Sequence, residues 1–143
     1  MSALADAWQA ALAAEQQAVF GYGLLGPRLA SADQALARDC AAAHEARRDA
    51  TSTALAAAGL TPAAPQADYP ELYPVPDAGA ARRLALRIED DCASAWRYLY
   101  LEATARPALR ETAQANLTAS AVRAVRWRRL ITPQHPAPAF PGT

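Results

Sequence analysis

Residues 61–76 read TPAAPQADYPELYPVP, and the reading of this stretch decides the fold. Its prolines remove the amide donors that a helix or a central strand would need, so the segment is a connection and not an element. Tyr69, Leu72 and Tyr73 are the side chains expected to pin it to the rest of the chain. On both sides the sequence turns alanine-rich, with large residues at three-and-four spacing, so the connection over 59–77 separates two pairs of helices.

Toward the N-terminus, Leu4, Trp8, Leu12, Glu15, Val19, Tyr22 and Leu25 mark one face of a helix over about 3–29, capped by Ser2 and interrupted or kinked at Gly26-Pro27. A second helix over 33–58 starts at Ser31 and Asp33. It carries Leu36, Cys40, Ala43, His44, Arg47, Thr51 and Leu55 on one face and stops at Gly59. Toward the C-terminus, Asp77 caps a third helix over 78–104, with Leu84, Ile88, Cys92, Ala95, Trp96 and Leu99 on its face. Thr104 and Pro107 mark a turn into a fourth helix over 107–131. Residues 132–143 form a Pro-rich extended tail anchored by Phe140, for which the sequence leaves open a seat on its own bundle or on a neighbour.

The expectation is an all-α four-helix bundle at 1–131. A helix of about 26 residues is roughly 39 Å long, and an 18-residue link stretches to about 60 Å. The link is thus long enough to return along the whole bundle, giving up, down, down, up. A link that does not traverse would give a plain up-down bundle.

Composition narrows the function. At 143 residues the chain suits one domain, and its roughly forty alanines favour closely packed helices. The 14 basic residues, all arginine, balance 14 acidic ones, which argues against nucleic acid and anionic membranes as partners. The start lacks a basic leader and an apolar core, so a cytoplasmic location is expected, with Cys40 and Cys92 as buried thiols. Broad alanine faces suit a homodimer. There is no Ser/His/Asp or Cys/His arrangement, phosphate-binding glycine loop or zinc spacing.

Counting from the turns gives a polar layer. Glu15 lies as far before the first turn as His44 and Glu45 lie after it, and Glu89 and Arg123 flank the second turn equally, with Ser120 one helical turn away. Ala11-Leu12-x-x-Glu15 and Ala85-Leu86-x-x-Glu89 also match, each followed by an aromatic, Tyr22 or Trp96.

With the two hairpins, the link, Glu15, Glu89 and the segment Ala43-His44-Glu45-x-x-Arg48-Asp49, the chain resembles the ferritin-like superfamily. More closely, it resembles the small alanine-rich actinobacterial ferritin-like proteins of unknown function, through Ala14-Glu15, Tyr22-Gly23, Trp96-Arg97, Trp127-Arg128 and Phe140-Pro141-Gly142. The resemblance covers nearly the whole chain and implies a bundle with two hairpins joined by a crossover between helices 2 and 3. In such bundles iron is held by single glutamates from two helices and a Glu-x-x-His pair from each of the others. Glu15 and Glu89 match the single glutamates and Glu45 one of the paired ones, but Arg48 stands in place of a histidine, and Ser120 and Arg123 replace the last pair. Arginine has no lone pair to give a metal. The expectation is therefore a vestigial site in which Arg48 and Arg123 turn inward onto Glu15 and Glu89, with His44 completing the cluster.

Three functions follow. The first is a non-enzymatic interaction or scaffold protein without cofactor. The second is an iron- or manganese-dependent oxidoreductase or storage relative using Glu15, His44, Glu45 and Glu89. The third is a binder of an unknown small molecule, with the Arg/Glu cluster as its site and Tyr22 or Trp96 as the wall.

Overall fold

In the computed structural model, which describes residues 2–134, 140 and 142, the chain is built from four long helices. Helix α1 spans Ala3–Leu25, α2 Gln34–Ala57, α3 Ala78–Glu102 and α4 Pro107–Ile131, and no strand occurs among the described residues. The protein is an all-α four-helix bundle. Among the described residues no helix is long and apolar enough to cross a membrane.

Local chemistry sets most of the ends. The Ser2 hydroxyl accepts from the Ala5 amide at 3.1 Å and the Asp77 carboxylate from the Ala80 amide at 2.8 Å, each relieving an orphan donor of a first turn. Gly59, at φ +79°, lets the Leu60 amide fold back to the Leu55 carbonyl at 3.0 Å and ends α2. Helix α1 stops at Leu25, before the expected residue 29, and Gly26–Arg28 form a separate 3-10 turn because Pro27 has no amide to continue the ladder. Asp33 does not cap α2. Its carboxylate accepts from the Arg82 Nε at 2.7 Å, tying the start of α2 to α3.

The connection lies along α1 and runs in the same direction. The Gln9 amide bonds Thr61 and Ala63, Gln16 bonds the Ala63 carbonyl, and Phe20 packs on Tyr69 with ring centroids 5.1 Å apart. Tyr69, Leu72 and Val75 are buried, whereas Tyr73, expected as a pin, is 49 % exposed. The link therefore traverses the bundle, so α3 runs antiparallel to α1, and α4 returns against α3 with Arg128 bonded to Asp90 at 2.9 Å. Packing is most extensive between α3 and α4, then α1 and α3, then α1 and α2. At Gly21 the α1 backbone comes so near α3 that a Cβ there would overlap Ile88 Cδ1.

The core includes Trp8, Trp96 and Trp127, all nearly solvent-free, and the free thiols Cys40 and Cys92. At the far end, Gly142 lies against Ala93 and Leu117, which seats the last described residue of the tail on α3 and α4 of the same chain.

Candidate functional site: a buried ionic network

Charged and polar side chains meet at the centre, one or more from each helix. Glu15 and Tyr22 are seven residues apart on α1, as are Glu89 and Trp96 on α3, so each pair projects from one helix face two turns apart. Because α1 and α3 are antiparallel, the pairs cross. The Trp96 indole donates to Glu15 Oε1 at 2.7 Å, and the Tyr22 hydroxyl donates to Glu89 Oε2 at 2.6 Å. His44 of α2 lies between the two acids, with Nδ1 2.5 Å from Glu15 Oε2 and Nε2 2.8 Å from Glu89 Oε2. Arg47, one turn on, donates through Nη1 to Glu15 Oε1 at 3.3 Å and to the Ser120 hydroxyl of α4 at 2.9 Å. The Trp127 indole donates to the Tyr22 oxygen at 2.9 Å and closes the chain of bonds.

Glu15, His44, Glu89 and Ser120 have no exposed surface at all. A charge in such a place needs a partner and filled hydrogen-bond positions. Burial by itself would lower the His44 pKa, but hydrogen bonds to both carboxylates outweigh it and raise the value to about 9. The group is an imidazolium at neutral pH. Burial works to raise the Glu15 pKa, and His44, Arg47 and the Trp96 donor together hold it below the ordinary value. With both glutamates as carboxylates, one imidazolium and one guanidinium cancel them. Burial, reinforced by Glu89, pushes the Tyr22 phenol far up, and burial with both acids does the same to the Cys92 thiol, so both stay neutral.

Several sequence-derived site residues lie elsewhere. Arg48 is on the opposite edge of the buried stripe of α2 from Arg47, and its Nε bonds Asp49 at 2.9 Å at the partly exposed surface. Only the Arg47 edge faces Ser120, so Arg47 takes the place expected for Arg48. Glu45, one residue round the helix from His44, is exposed. Arg123 makes no ion pair with Glu89, whose Oε2 is already held by Tyr22 and His44, and its Nη1 is buried without a partner, as is Glu89 Oε1. Tyr22 and Trp96, expected as a pocket wall, donate into the cluster, and each also lines a cleft, Trp96 beside Arg47 and Tyr22 beside Gly26 and Gln34. The period of α2 already carries the signal for Arg47, which lies three residues after His44 and four before the buried Thr51.

The donor set does not fit a two-metal centre. Both ring nitrogens of His44, both oxygens of Glu15 and one of Glu89 are engaged by protein groups, leaving Glu89 Oε1 as the one unpartnered acceptor atom among them. Cys92 adds a thiol, and ligand atoms of Glu15, His44 and Cys92 lie within 4.8 Å of one another.

The fold and centre define a class, the four-helix bundle with a buried, self-neutralised Glu–His–Glu–Arg network. The profile of a family described as a domain of unknown function, DUF4439, matches residues 7–143, and the chain belongs to that family. It is also similar to a solved structure, the conserved hypothetical protein rv2844 from Mycobacterium tuberculosis, at 36% identity and a TM-score of 0.85, over 90% of this chain and 97% of that one. Comparison with curated proteins returns no match.

Proposed function

We propose that the protein is a ferritin-like bundle of the actinobacterial kind that has exchanged its metals for the cations of His44 and Arg47, and that it acts without catalysis as an interaction protein. One observation carries this reading: His44 uses both ring nitrogens on Glu15 and Glu89 and has no surface that a substrate could reach. An imidazolium has no lone pair for a metal. Its cationic charge does what two metal ions do elsewhere, holding carboxylates from opposite helices together. In this reading the protein is cytoplasmic and pairs with a second copy through its alanine-rich faces. Sedimentation should then give twice 15.1 kDa.

The test is elemental analysis of untagged protein, before and after soaking in ferrous and manganous salts. The expected result is no stoichiometric metal in either sample. Near-stoichiometric metal, lost in a Glu15→Ala, Glu89→Ala double variant, would overturn the reading. A second reading, one metal ion on Glu15, His44 and Cys92, draws on their 4.8 Å spacing. It requires His44 and Cys92 to lose their protons, so metal uptake would then release protons and vanish in Cys92→Ala.

A further inference from the structure

A cleft of about 620 Å³ opens between α2 and α4, on the outer side of Arg47. Its origin is compositional. The wall given by α2 presents Ala46, Ala50, Ala54 and Ala57, a methyl group at each turn where larger side chains would interdigitate with the neighbouring helix. Leu109 on α4 faces this wall, and Trp8 and Trp96 form the floor. The lining atoms lack partners on one side and forgo dispersion that a bound apolar body would supply.

The polar groups have one sign. Arg47 and Arg106 line the cleft, and none of its described lining residues is acidic. Arg47 bonds protein acceptors through Nη1 alone. Among the described residues its Nε and Nη2 have no acceptor, and the side chain is 11% exposed, so the Nε–H/Nη2–H edge remains for a ligand. Arg106 lies over the Trp8 ring, its guanidinium carbon 5.2 Å from the centroid, at the mouth of the same space. The planar guanidinium suits a carboxylate through two parallel bonds. The volume is that of a small-molecule site, which runs from about 300 to about 1,000 Å³.

We infer that this cleft binds a small apolar carboxylate, its head on Arg47 and Arg106 and its hydrocarbon body against Trp8, Trp96 and the alanine wall. The inference is independent of what the buried network does with metals, because uptake of an organic acid and metal content are separate readouts.

The experiment is calorimetric titration of the full-length protein with decanoate and with the neutral decanol. Decanoate is expected to saturate at one site and to bind at least about tenfold tighter than decanol, as loss of a charged hydrogen bond implies. Ala54→Phe fills the cleft from an exposed position and should abolish decanoate binding. Ala42→Phe, exposed on the same helix but outside the cleft, should leave it intact. Arg106→Gln should weaken decanoate severalfold and leave decanol unchanged. Absence of saturable binding, equal affinity for decanol, or undiminished binding to a folded Ala54→Phe variant would each overturn the inference. So would a change in oligomeric mass with Ala54→Phe together with no decanoate uptake by the unsubstituted protein, which would assign the cleft to a second copy of the chain.

Discussion

His44 has a carboxylate on each side and no exposed surface, and this fixes the sign of its linkage to stability. Its folded pKa of about 9 stands above the ordinary 6.5, so its contribution is fully present below pH 6.5 and is lost as pH rises through 9. The gap corresponds to roughly 3 kcal/mol. Glu15 works in the opposite sense, because its lowered pKa gives stability that is present above 4.5 and is lost as pH falls. Thermal midpoints measured across pH should thus form a plateau between about 4.5 and 6.5 and decline on the alkaline side. His44→Gln should flatten the decline between pH 6.5 and about 9 while lowering the whole curve. Glu15→Ala leaves both a buried imidazolium and Arg47 short of a partner and should cost about 3–5 kcal/mol in urea unfolding. Tyr22→Phe deletes one donor to Glu89 and strands the Trp127 indole, for which about 1–3 kcal/mol is expected. A Glu15→Ala variant as stable as the parent would contradict the network. At this scale the helical period was enough to set Glu15, His44 and Glu89 on inward stripes. It did not separate Arg47 from Arg48, because both flank the stripe and the choice depends on where α4 lies.

Among the elements, the antiparallel passage of α3 against α1 explains why two Glu-to-aromatic repeats become one crossed pair. The repeat of Ala-Leu-x-x-Glu is visible in the sequence, but the exchange of Trp96 and Tyr22 between the glutamates is a tertiary fact. The close approach that makes it possible is centred on Gly21 and Ile88. Gly21→Ala should therefore destabilise the bundle by about 1–3 kcal/mol through overpacking. Ile88→Val, which removes the overlapping methyl, should recover part of that loss, so a double-mutant cycle on melting should show clear coupling. Additive losses would place the contact elsewhere. Ser2, Gly59, Asp77 and the proline-rich link were legible as boundaries because each acts through local backbone chemistry. Asp33 was misleading for the complementary reason, since Arg82 from a distant helix outcompetes the local amides for its carboxylate.

Over the whole molecule, charge balance holds at two levels. The 14 basic and 14 acidic residues cancel overall, and at the centre two acids meet two cations. The bundle thus joins all four helices through Glu15, His44, Arg47, Glu89 and Ser120. Such a network sets the relative register of helices that alanine, with its small and repetitive side chain, specifies poorly. The most direct measurement is the ¹⁵N NMR spectrum of the His44 ring at pH 7.5, assigned by its loss in His44→Gln. Two protonated nitrogens that titrate near pH 9 and do not change on addition of one equivalent of zinc are the expected result. A neutral ring at that pH, or a nitrogen that shifts on zinc binding, would contradict the account and return the centre to metal chemistry.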